Sequence, residues 1–111
     1  MPQQASSPQF STMQNAAAQA CALLKTLANQ DRLLLLCQLT QGEHSVSELE
    51  SAVGIAQPSL SQQLGVLRGE QLVRTRRAGK QIYYQIASPQ AQAIMQVLYE
   101  LFCGANQGDG Q

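Results

Sequence analysis

Three cysteines, one histidine and a run of basic side chains are the residues of this 111-residue chain that could do chemistry. Cys21, Cys37 and Cys103 are an odd number of thiols, far apart, with no Cys-x-x-Cys pair among them. Neither a secreted disulfide framework nor a dithiol redox motif fits that spacing. The three thiols could in principle hold a thiophilic ion. They equally suit packing, since free Cys is among the most buried residue types. His44 is the sole histidine. One imidazole cannot build a three- or four-ligand zinc site, and its place between Gly42 and Ser45 reads as a surface loop. No histidine adjoins a cysteine and no Gly-rich phosphate loop is present. An enzyme is therefore not expected, nor a cofactor or a metal.

The basic residues carry a stronger signal. Seven Lys and Arg balance seven Asp and Glu, giving zero net charge. Yet Arg68, Arg74, Arg76, Arg77 and Lys80 fall between positions 68 and 80, against one acid there, Glu70. The acids collect elsewhere, at Glu43, Glu48 and Glu50. A neutral chain can thus present one strongly positive edge, suited to phosphate; a solvated charge run on a hairpin is the plainer alternative.

The elements that must position these groups follow from periodicity. Residues 1–12 are polar, hold two prolines and lack periodicity, so a disordered lead-in is expected. The Gly-rich residues 104–111 are expected to form a flexible tail. Between them, residues 13–103 make one domain. Met13 to Ala28 carries an apolar stripe of Ala17, Ala20, Cys21, Leu24 and Ala28, widened by Leu23 and Leu27, and Cys21 reads as a packing residue of it. Asn29 is a good N-cap for a helix through Leu33-Leu34-Leu35-Leu36-Cys37 that stops at Gly42. Being apolar on nearly all sides, this should be the central buried helix. Ser45-Val46-Ser47-Glu48 fits a capping box, and the short helix it opens ends at Gly54. The next helix runs from Gln57 to about Gly69, with Pro58 in its first turn and Leu60, Leu64 and Leu67 inward.

The period then changes to two. Leu72–Arg76 and Gln81–Ile86 alternate and flank a basic tip, which reads as a β-hairpin. Ser88-Pro89 opens a last helix with Ile94, Val97, Leu98 and Leu101 on one face and Met95, Tyr99 and Phe102 on an adjoining one. Two apolar faces exceed what a monomer of this size needs, so one is expected to meet a second copy, against the first helix. Tyr83, Tyr84 and Tyr99 read as core and cavity wall.

Two short helices joined by a tight turn, then a basic hairpin, make a winged helix-turn-helix: mainly α with a small β-hairpin, in the order α-α-α-α-β-β-α. A helix can fill the major groove, where base edges are distinguishable. Gln57, Ser59, Ser61, Gln62, Gln63 and Arg68 offer the polar side chains for that groove, and Gln62 or Gln63 could bond adenine through N6 and N7. Arg76, Arg77 and Lys80 of the hairpin would reach phosphates or the minor groove of double-stranded operator DNA.

From about Ala22 to Cys103, roughly three quarters of the chain, the sequence resembles the ArsR (SmtB-like) family of homodimeric winged-helix repressors. The resemblance rests on Leu24-Lys25-Thr26-Leu27-Ala28-Asn29 with Arg32-Leu33, on Gln57-Pro58-Ser59-Leu60-Ser61-Gln62-Gln63-Leu64, on Gly65-Val66-Leu67-Arg68, and on Lys80-Gln81-Ile82-Tyr83-Tyr84. It implies that the helix opening near Gln57 reads DNA and that the first and last helices pair two subunits. Arsenic and cadmium sensors of the family place Cys-x-Cys where this chain has Ser45-Val46-Ser47, and zinc sensors use Asp and His on the last helix, where Ser88 to Cys103 has neither. Hydroxyls are poor soft-metal ligands, so no metal role is expected. Cys37 in Leu36-Cys37-Gln38-Leu39 and Cys103 in Leu98-Tyr99-Glu100-Leu101-Phe102-Cys103 are similar to the two cysteines of a subgroup, the biofilm growth-associated and sulfide-responsive repressors (BigR and SqrR types). That likeness implies a dithiol form that binds operator. Reactive sulfur species would then bridge Cys37 to Cys103 and release genes for sulfide detoxification. The alternative is a virulence or biofilm regulator of the same family without thiol sensing, acting against nucleoid silencers. The longest apolar run, Leu33 to Cys37, is too short to span a membrane, and no signal peptide is visible, so a cytoplasmic protein is expected.

Overall fold

A computed structural model describes residues 8–104. Helix α1 (Pro8–Leu27) starts at Pro8 rather than Met13, so residues 8–12 of the expected lead-in are helical. The reason lies in the backbone: proline has no amide hydrogen to leave unbonded in a first helical turn, and its fixed φ already suits the helix. Residues 1–7 of that lead-in, and 105–111 of the expected tail, lie outside the described residues.

Helix α2 (Gln30–Leu39) is capped by Asn29, whose side chain accepts the Arg32 amide at 3.0 Å. It buries Leu35, Leu36 and Leu39. It is central but not enclosed: Leu34 is 42% exposed, and Leu33 and Cys37 are half-buried. Five consecutive apolar residues cover every side of a helix, whereas here the neighbouring helices leave one side of it open.

Helix α3 (Val46–Val53) opens with the expected capping box. Ser45 Oγ accepts the Glu48 amide at 3.1 Å, and Glu48 accepts the Ser45 amide at 2.8 Å. Gly54 ends it at φ +72, a conformation that glycine adopts without steric cost. Helix α4 (Ser59–Gly69) turns Leu60, Leu64 and Leu67 inward. With Leu35, Leu36 and Leu49 these are the largest fully buried side chains, so the core is a leucine cluster with α2 at its centre.

The wing is larger than a hairpin. Strands β2 (Val73–Ala78) and β3 (Gln81–Ile86) pair antiparallel from Val73↔Ile86 to Ala78↔Gln81, turning at Gly79, whose φ is +65. A two-residue strand β1 (His44–Ser45) adds to β3 through His44↔Tyr84 and Ser45↔Tyr83, giving the order β1-β3-β2. His44 is thus sheet rather than free loop. Its ring contacts Gln38 Nε2 at 3.2 Å and the Gly42 carbonyl at 2.8 Å. Two residues show no alternation, which hid this strand from the sequence pattern.

Helix α5 (Pro89–Tyr99) is N-capped by Ser88 and continues into a π-helical turn, Glu100–Gly104, so Gly104 is part of this turn rather than of a tail. Its inner stripe differs from expectation. Ala91 and Met95 are buried and Ile94 and Leu98 half-buried, while Val97, Tyr99, Leu101 and Phe102 are exposed. Apolar residues surround this helix, so periodicity alone could not choose between stripes. Likewise Cys21, expected to pack, is exposed on α1.

Candidate nucleic-acid interface and thiol cavity

Helices α3 and α4 form the helix-turn-helix, and the leucines that α4 buries fix which of its sides faces outward. Ser59, Ser61, Gln62 and Arg68 are exposed there. Gln57 lies ahead of the helix, where its Oε1 accepts both the Ser61 amide at 3.1 Å and the Ser61 hydroxyl at 2.6 Å. That tie supplies the side-chain cap that Pro58 lacks. Gln63 is half-buried, and its Oε1 accepts Arg32 Nη1 at 2.9 Å. The same guanidinium donates through Nε to the Thr26 carbonyl at 2.6 Å. Arg32 therefore joins the end of α1, the start of α2 and the middle of α4. A bidentate adenine contact needs both ends of the amide, and of the two glutamines proposed for it Gln62 alone has both ends uncommitted among the described residues. The distance of 31 residues between Arg32 and Gln63 concealed this link.

On the wing, Arg77 and Lys80 are exposed beside the turn. Arg74 donates to Gln85 Oε1 at 3.2 Å. Arg76, expected to meet DNA, is already engaged. Its Nε and Nη2 bind the two carboxylate oxygens of Glu43 at 2.6 and 2.8 Å, and its guanidinium lies over the Tyr83 ring, 4.8 Å from the centroid. The Arg76 hydrogen bonds hold the Glu43 carboxyl below its ordinary range, against a smaller opposing effect of burial. Glu43 was legible only as an acid remote from the basic cluster; β1 is what carries it across the sheet.

The thiols meet in a different place. Cys37 and Cys103 both line a cavity of about 320 Å³ between α2 and α5. Leu33, Leu34, Met95 and Leu98 supply much of its apolar wall, and Gln30 and Tyr99 also line it. Cys37 is half-buried and packs against the core, whereas Cys103 is exposed. Among the described residues no cluster of His, Cys, Asp and Glu could hold a metal ion. A second hollow, about 780 Å³, opens between α1 and α5 with Ala16, Ala20, Leu23 and Ile94 in its lining. The exposed Leu24 and Val97 leave both helices with apolar surface that the other described residues do not cover. No described helix is long and apolar enough to cross a membrane.

A family model described as "Bacterial regulatory protein, arsR family" matches residues 29–75, from the cap of α2 into β2. The chain is 52% identical over 91 residues to a biofilm growth-associated repressor of Agrobacterium fabrum, covering 82% of this chain and 78% of that protein. It is 41% identical to the transcriptional activator HlyU of Vibrio cholerae, over 86% of this chain and 88% of the relative. In three dimensions it resembles the crystal structure of the transcriptional repressor BigR from Xylella fastidiosa, with a TM-score of 0.79 and 48% identity, covering 84% of this chain and 95% of that one.

Proposed function

Because the chain belongs to the arsR family of bacterial regulatory proteins, a family of DNA-binding transcriptional regulators and not of enzymes, we propose that it is a repressor whose hold on operator DNA is released when Cys37 and Cys103 become covalently bridged. The observation that carries this reading is the shared cavity: two thiols 66 positions apart in sequence line one apolar space. Two copies would pair through the uncovered faces of α1 and α5, and each would offer α4 to a major groove with Arg77 and Lys80 on flanking phosphates. The protein would act in the cytoplasm, where its thiols rest reduced.

The bridging chemistry needs a sulfur donor that is also an oxidant, such as an organic persulfide. The more exposed thiol reacts first. The Cys103 thiolate attacks the outer sulfur of R–S–S–H, forming Cys103–S–SH and releasing RS⁻. The Cys37 thiolate then attacks the inner sulfur of that persulfide, forming the Cys37–Cys103 disulfide and expelling HS⁻. If both cysteines are first persulfidated, their condensation gives a trisulfide and hydrogen sulfide. The bridge ties α5 to α2 and so restricts the motions that set the spacing of two recognition helices. Half-sites one turn apart, about 34 Å, tolerate little change in that spacing, and a coupling of about 1–3 kcal/mol alters occupancy noticeably.

In a mobility-shift assay, Cys37→Ser and Cys103→Ser should bind operator but ignore persulfide, while the wild type lets go. Mass spectrometry of the released protein should find the bridge between these two residues. If both variants still respond, the switch is wrong. The packing of Cys37 against the leucine core favours one second reading, a regulator of the same fold that does not sense thiols. In that case persulfide leaves the wild type on DNA.

A further inference from the structure

Glu43 immediately precedes β1, and β1 lies on the far side of β3 from β2, the strand that carries Arg76. The two side chains nonetheless meet, because Arg76 is paired with Tyr83 and reaches across its ring to Glu43. A carboxylate bound through both oxygens to Nε and Nη2 neutralises the guanidinium and fills one of the two edges that could take two oxygens of a phosphate. Arg68, Arg77 and Lys80 are exposed, and none of them has an ion pair among the described residues. We propose that Glu43 is an internal stand-in for a backbone phosphate: it keeps Arg76 off the DNA and so limits how tightly, and how indiscriminately, the wing binds any duplex.

This deepens the DNA-binding part of the proposed function and does not depend on the thiol switch. The reasoning is one of competition. An operator phosphate could take this edge of Arg76 only by displacing a carboxylate already seated in bidentate geometry, and because Arg76 is exposed, swapping one anion for the other gains little. Glu43 thereby subtracts one cation per subunit from the nonspecific, counterion-releasing component of binding, and leaves the groove contacts of α4 untouched.

Fluorescence anisotropy of the full chain with an operator duplex and with an unrelated duplex, across a salt series, tests the idea. Glu43→Gln should steepen the dependence of log K on log salt by about 0.9 per subunit, or about 1.8 for a bound dimer. Its affinity relative to wild type should therefore grow about tenfold as salt falls from about 200 to about 50 mM, for both duplexes alike. Glu43→Ala should do the same without the residual hydrogen bond that Gln allows. Adding Arg76→Gln to Glu43→Gln should return the slope to the wild-type value. Wild-type binding with an unchanged or shallower slope in both Glu43 variants overturns this inference alone. Absence of DNA binding in every form overturns the DNA-binding reading with it.

Discussion

Arg32 offers the sharpest test of how the recognition helix is held. Its guanidinium donates to the Thr26 carbonyl at 2.6 Å and to Gln63 Oε1 at 2.9 Å. Arg32→Met keeps the aliphatic stem and removes both bonds. A hydrogen bond from a charged donor contributes about 1.5–3 kcal/mol. Arg32 and Gln63 are half-buried, so water reaches the freed oxygens and the low end applies, about 3 kcal/mol for the two together. For a domain of this size that is a fall in Tm of roughly 10–20 °C. A double-mutant cycle with Gln63→Ala should isolate about 1.5 kcal/mol for the Arg32–Gln63 contact. Release of Gln63 also loosens α4, so preference for operator over unrelated duplex should drop, by no more than about tenfold, since a coupling of that size caps the bias. Thermal melts of the four proteins, with anisotropy on both duplexes, supply the numbers. Additivity of the two single variants within about 0.5 kcal/mol would refute the argument.

Ser45→Ala removes the hydroxyl that caps α3 by accepting the Glu48 amide, and should cost about 0.5–2 kcal/mol in urea unfolding. Leu101→Glu, on the exposed face of the π-helical turn, should shift the chain from dimer to monomer in sedimentation while its circular dichroism stays helical. Acid titration should show the Glu43 pair directly. Its carboxyl is lowered in the folded state, so the stabilisation is present above the ordinary carboxylate pKa and is lost as pH falls through the lowered value. The stability difference between wild type and Glu43→Gln should therefore hold above the ordinary carboxylate pKa and shrink as pH falls through the lowered one.

Much of this architecture could be read from local chemistry. Asn29, Ser45 and Ser88 each cap the helix they were expected to cap, because a side-chain oxygen within three residues of an orphan amide is a local matter. The wing strands were legible for the same reason, since alternation and a tip glycine lie within one short segment. What escaped was long-range or ambiguous. The inner stripe of α5 competes with an equally apolar outer stripe, and only α2 and the sheet decide that Met95 goes in and Leu101 stays out. Strand β1 is defined by its partner β3 alone. Of the residues assigned to DNA, Arg76 and Gln63 turned out to have intramolecular partners 33 and 31 residues away, separations at which no sequence pattern reports a contact.

These long-range links converge on α2. Near its start, Arg32 ties α1 to the recognition helix through Gln63. Beyond its middle, Cys37 faces the cavity that Cys103 shares. One residue later Gln38 meets the ring of His44 on β1, and the neighbouring Glu43 holds Arg76 of the wing. One ten-residue helix thus touches the recognition helix, the wing and the thiol cavity. A short helix shifts or rotates as a unit, because its own backbone bonds are stiffer than its contacts. In the proposed switch, a bridge that pulls on α2 at Cys37 acts on a rod whose two ends already hold the DNA-reading parts, and no conformational relay through the core is required. In that proposed switch, side-chain contacts at both ends mean the bridge need not approach the DNA: a small displacement at Cys37 would pass to α4 through Gln63 and to the wing through His44.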